Sequence, residues 1–281
     1  IIGRLLLNLL MAIVAVLALP VYDSLGVHLT TAPFSLLGIS IAIFLGFRTN
    51  ASYARFCEAR CLWGSLLVTA RSLLRQIKTV MVDPADARYA TQLLLAFAWS
   101  LNHQLRGTDA TADMKRLLPE ACYDRVMPSP VRTNQILLLL GEWLGVQYRA
   151  GKISDIVFAM INKHVDEMGH IQGAVERIAN TPIPFAYGLI LKRTVYLFCT
   201  ILPFALVDDL RYLTPLVTVF VSYTFLSMEI MAEEIEEPFG TQPNDLALNA
   251  ICTTIEINVL EMNEQKPLPA FPKPNADYIL D

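Results

Sequence analysis

The stretch HVDEMGH, residues 164–170, holds the densest group of side chains capable of chemistry: His164, Glu167 and His170. Glu167 and His170 have the i, i+3 spacing with which di-iron helix bundles aim two ligands at one metal. Such a centre needs a second Glu-x-x-His and further carboxylates, and the sequence has neither. His164 and His170, six apart, would point about 120° from each other on a helix. The motif therefore reads as a solvated or interfacial helix face. Cys57 and Cys61 are one helical turn apart and could share a metal, but no second ligand pair accompanies them. The five cysteines (57, 61, 122, 199 and 252) follow no disulfide framework and are expected to be reduced thiols. There is no glycine-rich phosphate loop and no Gly-x-Ser-x-Gly elbow. A pI of about 5.6 argues against nucleic-acid binding. No catalytic residues, cofactor or metal are expected.

A different pattern lies at Ile39, Ile43 and Phe47. These recur at i, i+4, i+8 and form one apolar stripe of a helix, while Gly38, Ser40, Ala42 and Gly46 are small residues suited to close helix packing. The spacing alone favours a stripe that packs against lipid or neighbouring helices. The alternative is that several copies face one another around an axis. Rings of Ile and Phe would then make a narrow constriction that gates by dewetting.

The elements that carry these residues follow from composition. Hydrophobic residues make up 54% and charged residues 17%, against about 25% charged in an ordinary soluble domain. The deficit indicates a membrane part joined to a substantial soluble part. Four stretches, roughly 5–22, 30–47, 184–207 and 212–230, approach the ~20 apolar residues needed to span a bilayer. Lys192 and Arg193 interrupt the third. The opening run from Leu5 to Val21 has no small-residue cleavage site and reads as a retained span. Since the chain starts at Ile1, residues preceding it are expected in the natural protein.

Residues 48–182 carry 16 Lys/Arg against 12 Asp/Glu, while the short connections near 23–29 and 208–211 contain only Arg211 as a base. The positive-inside rule then makes the middle segment and both termini cytoplasmic, in a multi-pass protein of the cell inner membrane. Helical spacing extends from about Ser35 to Val80, a rod on the order of 70 Å. Further helices are expected at 85–105, 111–126, 132–149 and 154–179, with no strands, so the fold class is all-α. The run Ile136 to Leu140 is broken by Gly141 and Glu142 at the length of a buried core helix. From Glu229 onward there are 11 Asp/Glu and 2 Lys, an acidic segment suited to docking on the basic helices. Its end, KPLPAFPKPN (266–275), is too rich in proline for helix and should run extended over a surface.

FLGFRTNASYARFCEARCLWG (44–64), EEPFGTQPNDLAL (236–248) and the four-span layout closely resemble the bestrophins, particularly their bacterial members. The resemblance covers nearly the whole chain. It implies a homopentameric ion channel, five copies around one central pore, with four transmembrane helices per subunit continuous with a large helical cytosolic domain. The division would be 1–47 for the first two membrane helices and the pore neck, 48–182 for the cytosolic helices, 183–230 for the last two membrane helices, and 231–281 for a cytosolic C-terminal segment wrapping the assembly.

On the same resemblance Ile39, Ile43 and Phe47 match the hydrophobic neck, where animal members place Phe at the latter two positions. Val157, after GKISDI, falls at the second constriction, the cytosolic aperture. Asp155, Asp166 and Glu167 lie near it and would either raise the local cation concentration when repeated in every subunit or serve as partners for nearby Arg and Lys. Glu237, Pro238, Phe239, Gly240 and Asp245 match the calcium clasp, but only Asp245 remains of the acidic run that animal members carry. A calcium site needs several hard oxygen ligands, which argues against calcium gating. Animal bestrophins pass anions and bacterial relatives are associated with monovalent cations. The Ile-rich neck therefore leads to the expectation of a monovalent cation channel, sodium included, with an anion channel of the same architecture as the alternative and a membrane carrier behind both.

Overall fold

The structure is a computed structural model that describes residues 1–26, 30–81, 83–277 and 279–280. Its helices are α1 (Ile2–Leu25), α2 (Ala32–Val80), α3 (Pro84–Arg106), α4 (Thr111–Leu117), α5 (Glu120–Val126), α6 (Arg132–Arg149), α7 (Asp155–Asn180), α8 (Phe185–Leu210), α9 (Thr214–Glu234) and α10 (Leu248–Met262). No strand occurs among the described residues. The all-α expectation therefore holds, with one change. The helix expected over 111–126 is two short ones, because Pro119 between them lacks the N–H that would continue the first.

The chain divides into two compact units, residues 1–56 with 182–237, and residues 57–181 with 238–281. Helix α2 runs unbroken through the first boundary at Phe56/Cys57, later than the change of charge at Phe47/Arg48.

In the first unit α1, α8 and α9 pack on one another. Ile41 of α2 joins Val195, Phe198, Cys199, Leu202 and Leu226 in a buried cluster. Phe198 meets Phe225 edge-on, with ring centroids 5.6 Å apart. Gly38 gives α2 its close approach to α8, since a Cβ there would stand 3.3 Å from the Phe198 ring. Three stretches are long and apolar enough to cross a bilayer, namely Ile2–Tyr22, Ala32–Val80 and Phe185–Glu234. The last comprises α8, the 3₁₀ turn Arg211–Leu213 and α9.

In the second unit α3 packs against α6 and α10, and α6 against α7. Asp83 caps α3 by accepting from the Ala85 N–H at 2.8 Å, ahead of Pro84 in the first turn. The leucine run of α6 is one-sided: Ile136, Leu139 and Leu140 are buried while Leu138 is exposed. The run therefore faces a protein core on one side only. Leu268 and Phe271 of the C-terminal segment are exposed, and no described residue after Met262 is helical.

Candidate functional site

The chain folds α2 with two distinct faces. Ile41, Leu45, Arg48 and Ser52 are buried, and the burial follows helical spacing. Ile39, Ile43 and Phe47 lie on the opposite face and are 60%, 52% and 62% exposed. The apolar stripe is thus not used by its own subunit. Gly46 beside it has no neighbour within 4 Å of where a Cβ would stand, so that side of the helix is open. The Ser40 hydroxyl on the same side is satisfied internally, donating to the Leu36 carbonyl at 2.9 Å. The face presents water or lipid with apolar surface and no charge.

One residue beyond Phe47, Arg48 turns inward and is 5% exposed. Its guanidinium meets the carboxylate of Glu229 on α9 at 3.3 Å and that of Glu236 at 3.1 Å. Glu229 is fully buried; it also accepts from the Tyr196 hydroxyl at 3.3 Å, and Lys192 of α8 lies 3.9 Å away. Lys192 itself donates to Glu233 at 2.7 Å. Arg55 reaches the Glu236 carbonyl at 3.3 Å. Charges removed from water need such partners. The network therefore fastens α2 to α8 and α9 directly behind the stripe. It also explains how α8 tolerates Lys192 in an apolar sequence. The sequence offered a signal for it in Glu229, an acid inside the fourth apolar stretch.

Val157 lies in the first turn of α7, where its N–H donates to the N-cap Ser154 hydroxyl at 3.4 Å. Its side chain is half-buried, whereas its neighbour Ile156 is 74% exposed and Met160, one turn on, is 52% exposed. Asp155, Asp166 and Glu167 are exposed. Asp155 accepts from the Tyr148 hydroxyl, which raises the tyrosine's pKa, and Asp166 accepts from the Asn162 amide at 3.1 Å. His164 is held below the ordinary histidine value by burial, then by the charges of Lys163 and Arg75. The stripe and the α7 residues belong to different compact units.

Pro238, Phe239, Gly240 and Asp245 form a tight loop before α10. The Leu246 N–H donates to the Pro238 carbonyl at 2.9 Å, and the Asp245 N–H to the Gln242 carbonyl at 3.0 Å. The Asp245 carboxylate accepts from the Gln242 N–H at 2.7 Å and stands so close to Gly240 that a Cβ there would clash with it. Glu237 is exposed. Among the described residues no three of His, Cys, Asp and Glu stand together as metal ligands. Asp245 closes its own loop, and this donor set does not fit a calcium ion.

Residues 1–261 match the family described as Bacterial/Fungal Bestrophin protein. A protein of Escherichia coli K12 named voltage-dependent anion channel-forming protein YneE is 51% identical over 278 residues, covering 99% of this chain and 91% of that one. A Ralstonia nicotianae protein, also named a voltage-dependent anion channel-forming protein, is 45% identical over 84% of this chain and 78% of its own length. The crystal structure of a bacterial bestrophin homologue from Klebsiella pneumoniae superposes with a TM-score of 0.92 at 56% identity, covering 95% of this chain and 99% of that one.

Proposed function

This chain belongs to the bacterial and fungal bestrophin family, and from that membership we propose that it is an ion channel whose copies surround a central pore. The relatives' names carry the channel reading. The observation that joins it to this chain is the exposed stripe of Ile39, Ile43 and Phe47 on the side of α2 that its own subunit does not bury. Copies arranged around an axis would turn it into a stack of apolar rings, a neck that empties of water and so controls ion passage. The resemblance implies five copies.

α1, the first part of α2, α8 and α9 are the four membrane helices of this proposal. Phe185 and Tyr212, 80% and 88% exposed, stand near opposite ends of α8, where aromatic side chains suit the headgroup layers. The protein would then be a multi-pass inner-membrane protein with both termini in the cytoplasm. Val157 would line the second constriction on the resemblance, and exposure favours its neighbour Ile156 for that place, because Val157 is partly covered by its own subunit. Asp155, Asp166 and Glu167 would flank that constriction, and calcium would have no role in opening, in keeping with an Asp245 carboxylate that bonds within its own loop.

The permeant ion is where expectation and relatives part. An aliphatic neck led to a monovalent cation, but relatives at 51% and 45% identity are named for anions. We therefore take a small monovalent anion as the better-supported ion. The aromatic edge of Phe47 agrees with this, since ring edges carry partial positive charge. A cation, sodium included, is the second reading, because Ile39 and Ile43 have no such edge. Purified protein reconstituted into a bilayer with unequal sodium chloride concentrations distinguishes them. Reversal at the chloride potential is the expected result; reversal at the sodium potential would replace the anion by the cation, and absence of current would remove the channel.

A further inference from the structure

Burial along α2 repeats with unusual regularity. The buried residues Ile41, Leu45, Arg48 and Ser52 are each followed, eighteen residues on, by another buried residue: Ala59, Trp63, Leu66 and Ala70. Eighteen residues are about five full turns of an α-helix, so the helix keeps one covered face along its length. The same interval applied to the open face carries Ile39 to Cys57 and Ile43 to Cys61. Both thiols are free; Cys57 is half-buried and Cys61 exposed. By helical periodicity they therefore hold the same angular positions on α2 as Ile39 and Ile43.

We propose that Cys57 and Cys61 form a thiolate site for a soft divalent metal ion such as zinc or cadmium, and that the ion bound there obstructs conduction. Residues i and i+4 on one helix face have Cβ atoms about 5–6 Å apart, and flexible thiols can close on one metal at about 2.3 Å per Zn–S bond. Each thiol gives up its proton, so binding releases two protons per metal. One subunit supplies two ligands, in keeping with the absence of any cluster of three among the described residues. Water or the thiols of another copy complete the shell. Soft thiolates select zinc and cadmium over sodium, potassium, magnesium and calcium.

The binding step needs only the helix; obstruction of current rests on the pore reading above. The full chain in detergent is titrated with cadmium chloride while the near-ultraviolet thiolate-to-metal absorbance is followed. Saturation at no more than one metal per chain is expected. Cys57→Ser or Cys61→Ser converts a chelate into a single attachment and should weaken binding about 100-fold. An unchanged titration in the double serine variant overturns the site. In bilayers, cadmium should reduce the wild-type current and leave that of the double variant unaffected. Binding without loss of wild-type current would overturn the obstruction and place this face of α2 outside the ion path, with the metal site intact.

Discussion

Glu229 has no solvent exposure, and its carboxylate lies 3.3 Å from both the Arg48 guanidinium and the Tyr196 hydroxyl. A buried charge that loses its partner keeps the cost of leaving water without the attraction that offset it. Glu229→Ala should therefore lower stability by about 3–5 kcal/mol, read from denaturant unfolding in detergent. In an Arg48→Met background the same substitution should cost clearly less, because no buried cation is stranded; an equal cost in both backgrounds would show that the pair is not coupled. Arg48 also separates two kinds of legibility. Its abrupt arrival after an uncharged run is plain in the sequence. Its partners are 181 and 188 residues away, and no local pattern names them.

Helix α2 has 49 residues, with its one proline, Pro33, in the first turn, and in each unit it buries one face. It sets the azimuth of Ile43, while α7 separately sets that of Ile156. If the neck limits flow, Ile43→Ala widens an apolar ring and single-channel conductance rises. If the start of α7 forms a second constriction, Ile156→Ala should change conductance and Val157→Ala should change it little, in proportion to their exposure. The reverse order would restore Val157 as the lining residue. The i, i+4 spacing was enough to find the stripe of α2. At the start of α7 Ile156 and Val157 are adjacent apolar residues of nearly equal size, and only packing against the rest of the unit tells which is turned outward.

At the scale of the whole molecule, the outer faces of the membrane unit carry many exposed apolar side chains, among them Leu6, Leu10 and Leu17 on α1 and Leu216 and Phe220 on α9. Surface of that kind must be covered by lipid tails or by further copies. A mass measurement of the detergent-solubilised complex should therefore give several chains per particle, five on the family resemblance. A single chain would remove the central pore, and with it the role given to Ile39, Ile43 and Phe47.

The sequence by itself determined the helical class, the apolar stretches, the position of the stripe and, through two widely separated motifs, the family. Each of these depends on local periodicity or on residues read in order along the chain. Only the tertiary structure decided that Arg48 turns inward to Glu229 and that Ile156 is more exposed than Val157. The physical reason is common to both. Which face of an element is covered depends on what packs against it, and those partners meet through the fold rather than through sequence spacing.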